Sequence, residues 1–380
     1  MATQALITGN GDERRTLVVV FLRGAADGLA LVPPVEDAHY YRARPRLGIA
    51  KNDAVRLDDR FGLHPKLAPL AAAWREGELA IVHACGSEDG TRSHFEAQDL
   101  MEHGGLVAGG WLGRFLRVKP AAASGALTCV AVGKALPECL LGAPSATVMQ
   151  GLDDFALGGR TPAFRTQLER LYAMQRGQLG AAARDTFDAL VRIEAMRATA
   201  YVPANGANYG RDDFATGLSQ LARLIKADVG LEAASIDLPG WDSHFAQQGQ
   251  VDALAARLAA GLEAFRTDLG VRMAATTVVV MTEFGRTVEE NSGFGTDHGR
   301  GSTFFVLGGG VRGGRVHGEW RGLAPDVLEK RGVLEGYGDL PVWNNYRDAI
   351  APVLGRHGVD AAGLAAVFPE FSLKPLALFA

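Results

Sequence analysis

The sequence predicts an α/β fold in which a mostly parallel sheet is sandwiched by helices. Short apolar runs, several of them rich in β-branched residues, recur along the 380-residue chain. Continuous runs of this length are typical of strands that are buried on both faces. Between them, apolar residues recur at steps of three or four, which is typical of amphipathic helices. Strands that alternate with helices predict a layered α/β domain.

Six of the apolar runs are predicted to be strands. They are residues 16–22, 79–84, 127–132, 233–238, 276–281 and 303–309. The helical pattern is clearest from Val251 to Leu269, where Leu254, Leu258 and Leu262 continue the series. A strand followed by a helix is therefore the repeating unit that we expect.

The chain is predicted to form one domain, from about residue 16 to 375, with a helical insertion. Residues 1–15 lack periodicity and are predicted to be a loose lead-in. The span from about 160 to 227 shows several helical segments and no strand pattern. Arg14 and Arg15 invite comparison with a twin-arginine signal, but the apolar run after them is short and no cleavage site follows. We therefore expect a cytoplasmic protein as the sequence stands, and a periplasmic one if an export signal has been removed.

Composition argues against two classes of partner. The formal net charge of −4 and the lack of any block of Lys or Arg disfavour nucleic-acid binding. No apolar run reaches the roughly 18 to 20 residues that a membrane-spanning helix needs, so no membrane span is expected.

Polar residues follow the predicted strands at the sheet edge where open α/β proteins bind ligands. In chain order they are Asp27, Asp242, His244, Glu283, Arg286, Asp297, His298 and His317. Carboxylates together with imidazoles are typical ligands of Zn, Mn or Fe, so the set predicts a site for one or two divalent ions. For any one of these residues, a turn or helix cap for Asp and a hydrogen-bonded structural role for His are the competing interpretations.

Spacing adds weight to the metal interpretation. Asp242 and His244 are two residues apart, so in an extended segment their side chains lie on one side. Asp297 and His298 are adjacent and converge only if the backbone turns sharply, which nearby glycines permit. Those glycines are Gly295, Gly299 and Gly301.

The order of these residues resembles the alkaline phosphatase and sulfatase superfamily, which includes cofactor-independent phosphoglycerate mutase. The segments FLRGAADGL, RSHFEAQD, GWDSHFAQQ, TEFGRT, GTDHG and GGRVHGE further resemble an uncharacterised bacterial family of unknown function. That family is often labelled sulfatase-like and its members often carry twin-arginine signals. The resemblance runs from about residue 16 to 370 and implies an alkaline phosphatase-like fold.

The function that the resemblance implies is hydrolysis or transfer of a phosphate or sulfate ester by in-line displacement, on a small anionic substrate. One or two divalent ions, Zn, Mn, Fe or Mg, would be the cofactors. The implied ligands are Asp27, Asp242, His244, Asp297, His298 and His317. Glu283 is the alternative occupant of one ligand position, because the segment around it separates the Asp297–His298 pair from its strand.

The nucleophile implied by the resemblance is Ser93, with Thr91 as the alternate. Ser93 also forms a capping-box pattern with Glu96, which is a sufficient structural reason for a serine there. Arg286 is a predicted catalytic residue, and Arg92 and His94 are predicted to hold the remaining oxygens of the anion. The alternative function is a non-catalytic metal-binding or assembly protein on the same fold. It is motivated by the single residue between Asp242 and His244, where the superfamily commonly has three.

Overall fold

A computed structural model describes residues 15–119, 125–152, 162–330 and 337–379. Residues 1–14, most of the predicted lead-in, lie outside the described residues. The strands are β1 Thr16–Arg23, β2 Val55–Arg56, β3 Gly62–Leu63, β4 Leu79–Gly86, β5 Cys129–Val132, β6 Thr147–Met149, β7 Ala233–Pro239, β8 Thr276–Met281, β9 Ser302–Gly308, β10 Arg315–His317 and β11 Asn344–Asn345.

One large sheet contains every strand except β2 and β3, which pair with each other. Its spatial order is β10-β4-β9-β8-β1-β7-β5-β6, and β11 joins it by pairing with β4. Strand β9 runs antiparallel to both of its neighbours, β4 and β8. The other pairings in the sheet are parallel. The predicted mixed α/β fold with a mostly parallel sheet is confirmed.

Helices cover both faces of this sheet. They are α1 Gly28–Leu31, α2 Ala38–Ala43, α3 Ala71–Arg75, α4 His94–His103, α5 Trp111–Val118, α6 Pro162–Ala173, α7 Gln178–Arg197, α8 Asp213–Lys226, α9 Gln247–Leu269, α10 Tyr346–Arg356 and α11 Ala361–Val367. Among the helices in the described ranges, none is long and apolar enough to cross a membrane.

The core consists of two apolar layers, one on each face of the sheet. Val18 and Val20 of β1 belong to the layer that also contains Leu258 of α9. Leu17 and Val19, the alternate residues of β1, belong to the layer that contains Phe115 of α5. Side chains of a strand point alternately to the two faces, so a strand that is apolar at every position must be covered on both. Each such buried side chain contributes roughly 1.5–3 kcal/mol.

The span predicted as a helical insertion contains α6, α7 and α8 in its described part. Helix α8 packs on α9 and β7, so it belongs to the layer that covers the sheet. Its buried face includes Phe214, Leu218 and Leu221. Helices α6 and α7 pack against each other.

The chain direction places many loop ends at one edge of the sheet. Strands β1, β4, β7 and β8 are mutually parallel through the order of the sheet, so their carboxyl ends lie at the same edge. Because β9 is antiparallel, its amino end lies at that edge too. The whole connection from 282 to 301 therefore begins and ends beside the carboxyl ends of β1 and β7.

Candidate metal centre

Four side chains from three parts of the chain converge at this edge. His94 is the first residue of α4, Asp242 and His244 follow β7, and His298 precedes β9. Ligand atoms of His94, Asp242 and His298 all lie within 4.8 Å of one another. Asp242 and His244 have side chains that are 47% and 44% exposed, so a small molecule can reach the cluster from solvent.

The imidazole rings face one another through their Nε2 atoms. The Nε2 of His298 lies 2.9 Å from the Nε2 of His244 and 3.1 Å from the Nε2 of His94. Asp242 closes the group, with Oδ1 3.0 Å from the His244 Nε2 and 3.4 Å from the His298 Nε2. Its Oδ2 lies 3.4 Å from the His94 Nε2.

Each of the three rings has an acceptor at its other nitrogen. The Nδ1 of His94 lies 2.8 Å from Oε1 of Glu283, and the Nδ1 of His244 lies 3.1 Å from Oδ1 of Asp297. The Nδ1 of His298 lies 2.9 Å from the carbonyl oxygen of Arg92. A neutral imidazole carries one proton, and these acceptors place it on Nδ1. The three Nε2 atoms are then left with their lone pairs.

Three lone pairs that converge beside a carboxylate repel one another unless a proton or a metal ion lies between them. The arrangement fits a divalent transition metal such as Zn, which is commonly bound by imidazole nitrogens and a carboxylate oxygen. Ligand histidines that donate their second N–H to a carboxylate or a carbonyl are the usual supporting arrangement in such sites. His94, Asp242, His244 and His298 are therefore the residues that would hold the ion.

Glu283 and Asp297, both predicted as ligands, lie behind histidines. The Oε1 of Glu283 accepts hydrogen bonds from His94, from the Gly24 N–H at 2.9 Å and from the Gln98 amide at 2.9 Å. Burial raises the pKa of Glu283, but these hydrogen bonds outweigh it and the pKa is lowered. Asp297 supports His244 in the same manner. Their positions are those of orienting carboxylates.

Arg286 is fully buried and holds Asp242 in place. Its Nη2 donates to Oδ1 of Asp242 at 2.6 Å and to the carbonyl of Gly24 at 2.8 Å, and its Nε donates to the carbonyl of Ala25 at 2.9 Å. Partial burial raises the pKa of Asp242, but the Arg286 guanidinium outweighs this effect and the pKa falls to about 2. The predicted catalytic Arg286 thus holds Asp242 in position, because its donors are directed at protein groups.

The histidines of the cluster differ in their protonation preference. The hydrogen bond to Glu283 raises the pKa of His94 against the opposing effect of burial. Burial lowers the pKa of His298, and repulsion from the Arg286 guanidinium and from His94 when it is protonated adds to that effect. His298 is thus kept neutral more readily than His94, and a metal-binding imidazole must be neutral.

The glycines of the connecting loop are required for close approach of two backbone segments. Residues 285–287 pair with 297–300, through hydrogen bonds such as Thr287 N–H to the Asp297 carbonyl at 2.9 Å. A Cβ on Gly299 would lie 2.4 Å from the carbonyl carbon of Arg286, and one on Gly295 would lie 2.3 Å from the His244 carbonyl oxygen. Neither glycine has a positive φ. Packing between the segments therefore excludes a side chain at both positions.

Ser93 and its neighbours lie at the amino end of α4. Ser93 is the N-cap residue, but its side chain makes no capping hydrogen bond, so the predicted capping box with Glu96 is not formed. The Ser93 N–H instead donates to Oγ1 of Thr91 at 3.3 Å. The Arg92 side chain pairs with the buried Asp339, and its backbone carbonyl supports His298.

Asp27 and His317 are not brought to the cluster. Oδ1 of Asp27 caps α1, and its Oδ2 accepts from Arg44 at 2.7 Å and from Gln247 at 2.6 Å. These partners occupy both oxygens inside the protein, which is the helix-cap interpretation. The Nε2 of His317 lies 2.8 Å from the carbonyl of Arg312, on the edge strand β10.

The sequence predicted that His94 lies at the site, but it did not predict three supporting residues, Gln98, Asn291 and Asp339. His94, predicted to bind substrate, contributes a nitrogen to the cluster. Gln98 lies one helical turn after it, and this spacing was the available signal. Asn291 donates to Oδ1 of Asp297 at 3.1 Å and accepts from the Gly293 N–H at 2.9 Å. No sequence pattern marked Asn291 or Asp339 as part of the site. Asn291 contacts Asp297 within an irregular loop, and the partner of Asp339, Arg92, is distant in sequence.

Fold and site together define a mixed α/β protein with a candidate metal centre at the carboxyl edge of its sheet. The chain belongs to the family described as "Protein of unknown function (DUF1501)", which matches residues 92–335 and thus more than half of its length. The match includes all four residues of the cluster. A search of curated proteins found no match.

Proposed function

We propose that this protein is a metal-dependent hydrolase or transferase that acts on a phosphate or sulfate ester. The observation that carries the proposal is the convergence of three Nε2 atoms on Asp242, each ring oriented through its Nδ1. A bound divalent ion would supply a Lewis acid that polarises an oxygen of the ester. The substrate would be a small anion, because a bound divalent ion attracts negative charge and the cluster is open to solvent.

Ser93 is the nucleophile in this proposal. It directly precedes His94 in the chain, so its hydroxyl starts next to the cluster, and no cap bond to α4 engages it. The free N–H groups of the first turn of α4 favour the approach of an anion at the same place. His94 holds its proton on Nδ1 against Glu283, which keeps its other nitrogen directed at the cluster.

We further propose that the fold is of the alkaline phosphatase type. Support comes from the largely parallel sheet with one antiparallel strand inside it, and from the order in which the chain delivers Ser93, Asp242 and His298 to one edge. The site differs from the pattern that the resemblance implies, because Asp27 and His317 are engaged elsewhere. One ion, held by the four-residue cluster, is the stoichiometry that this arrangement supports.

The test combines metal analysis with hydrolysis assays on the purified full-length protein. Aryl phosphate and aryl sulfate are offered in Zn, Mn, Fe and Mg. We expect about one ion per chain, and we expect the His298→Ala variant to lose it. Ser93→Ala should keep the ion and lose turnover by several orders of magnitude, as removal of a nucleophile does.

The matched control is His103→Ala, on the last residue of the same helix. His103 pairs with Glu138 at 3.2 Å, away from the cluster, so its loss should leave metal and turnover unchanged. Metal binding without turnover of any ester would favour the alternative, a non-catalytic metal-binding protein. Absence of metal in the wild-type protein under all four conditions would refute both.

A further inference from the structure

Three exposed phenylalanines lie in the chain segments that carry the cluster histidines or pair with them. Phe95 is 86% exposed, Phe245 is 74% exposed and Phe294 is 50% exposed. We call these three residues the phenyl rim. Single exposed apolar residues are common on proteins, but several around one polar site indicate contact with an apolar group of a ligand or partner.

The rim is joined to the centre by the chain itself. Phe95 directly follows His94, and Phe245 directly follows His244, so each ring starts about 3.8 Å along the backbone from a cluster histidine. Phe294 is brought near Phe245 by pairing of two segments: the Gln247 N–H donates to the Phe294 carbonyl at 2.9 Å, and the Ala246 N–H donates to the Gly293 carbonyl at 2.9 Å.

The backbone around the rim leaves little freedom for the segments that carry it. A Cβ on Gly293 would lie 3.0 Å from Cδ2 of Phe245, so that ring lies directly over the glycine. Phe294 has a left-handed φ of 58°, and the Arg46 guanidinium lies 4.4 Å from the centre of its ring. A strained aromatic residue beside a ligand site is a known mark of functional constraint.

We propose that the phenyl rim binds an apolar group of the substrate, so that the ester is one of an aromatic or similarly apolar alcohol. This inference rests on the proposed function and deepens it. The anionic part of the molecule meets the cluster of His94, Asp242, His244 and His298, and the apolar part lies against the rings.

The experiment measures binding of two phosphonates by calorimetry to the metal-loaded full-length protein. 1-Naphthylphosphonate and methylphosphonate share the anionic group and differ in the apolar one, and neither has an ester bond to cleave. We expect naphthylphosphonate to bind at least about 10-fold tighter, the effect of burying one large apolar group. Phe95→Ser with Phe245→Ser should remove that preference and leave methylphosphonate binding unchanged.

Two further variants make the result specific. Val271→Ser removes an apolar residue that is 93% exposed, just before β8 and therefore at the opposite edge of the sheet, and it should change nothing. Leu136→Ser alters a separate open pocket of about 270 Å³, which is also lined by Gln98 and Asp237. Loss of the naphthyl preference in Leu136→Ser with its retention in the rim variant would overturn the proposal.

The other outcomes separate this inference from the proposed function. Equal affinity of the wild-type protein for both phosphonates would refute the proposed role of the phenyl rim and would still be consistent with an anion-binding cluster. If neither phosphonate binds, the proposed function fails, and 2-naphthol then tests the rim alone: binding that the rim variant abolishes supports it, and no binding overturns it. A wild-type dimer in sedimentation that the rim variant dissociates assigns the rings to a second copy of the chain and overturns the proposal.

Discussion

The Nε2 atoms of His244 and His298 face each other at 2.9 Å, while each ring has an acceptor at its Nδ1. Two neutral imidazoles in this orientation present lone pairs to each other, and a proton or a metal ion between them would stabilise the contact. The acceptors at Nδ1 matter because they orient each ring and direct its Nε2 toward the cluster.

Removing the charge of Glu283 should weaken metal binding and leave the ligand set intact. In Glu283→Gln, His94 loses the carboxylate that orients its Nδ1–H, so we expect the metal dissociation constant to rise about 10-fold to 100-fold. Competition with a chromophoric chelator measures it. Glu138→Gln is the matched control, because it removes the carboxylate that pairs with His103 on the same helix. The metal affinity of this variant should equal that of the wild type. Equal affinities in both variants would contradict the supporting role.

Asp27 should matter for stability and not for metal. Its pair with Arg44 is almost completely buried, so Asp27→Asn removes the carboxylate that balances the buried guanidinium charge, which keeps only its bonds to the carbonyls of Thr287 and Val288. We expect a loss of about 3–5 kcal/mol in the free energy of unfolding. Urea denaturation measures it, with Asp59→Asn as the exposed-pair control that stays at the wild-type value. The metal content of Asp27→Asn should stay at the wild-type level. If Asp27→Asn lost the ion without losing stability, Asp27 would have to be a metal ligand.

Gly299 should tolerate no side chain. In Gly299→Ala the new Cβ would lie 2.4 Å from the carbonyl carbon of Arg286, so the paired segments must separate and His298 must move. We expect about 1–3 kcal/mol of destabilisation together with weaker metal binding. Gly249→Ala is the control: this glycine lies in α9, a methyl group added to it would have no neighbour within 4 Å, and the change should stabilise by up to about 1 kcal/mol. A stable, metal-replete Gly299→Ala would show that the loop geometry is not required.

The buried His357 should make the fold sensitive to acid. Neither of its ring nitrogens has a hydrogen-bond partner among the described residues, and burial lowers its pKa to about 3. In the unfolded chain the pKa is near 6.5, so between about pH 6.5 and 3 the unfolded state binds more protons. Stability is then present above pH 6.5 and is lost as the pH falls toward 3, by roughly 5 kcal/mol in all.

His357→Phe should abolish most of that acid loss and retain the edge-on contact with Phe115, now 5.8 Å between ring centres. Unfolding free energies measured from pH 7 to 4 give the slope directly. His39→Phe, on a half-buried ring that contacts Tyr337, is the control and should keep the wild-type slope. A His357→Phe protein with an unchanged slope would assign the acid sensitivity to other groups.

The sequence by itself determined the layered α/β architecture and the set of candidate site residues. Strands such as Thr276–Met281 are apolar at every position, and burial on both faces follows from the period of the backbone alone. Parallel order then places Asp242, Glu283 and His298 at one edge, since carboxyl ends of parallel strands coincide.

Only the tertiary structure decided the role of each candidate. Asp27 and Asp242 both follow a strand, yet one is engaged by Arg44 and Gln247 while the other meets three imidazoles. These partners come from distant parts of the chain, and no local pattern encodes which of them a carboxylate will reach. A side chain becomes a ligand or a support through an orientation of a few ångströms, which packing between segments sets and periodicity does not.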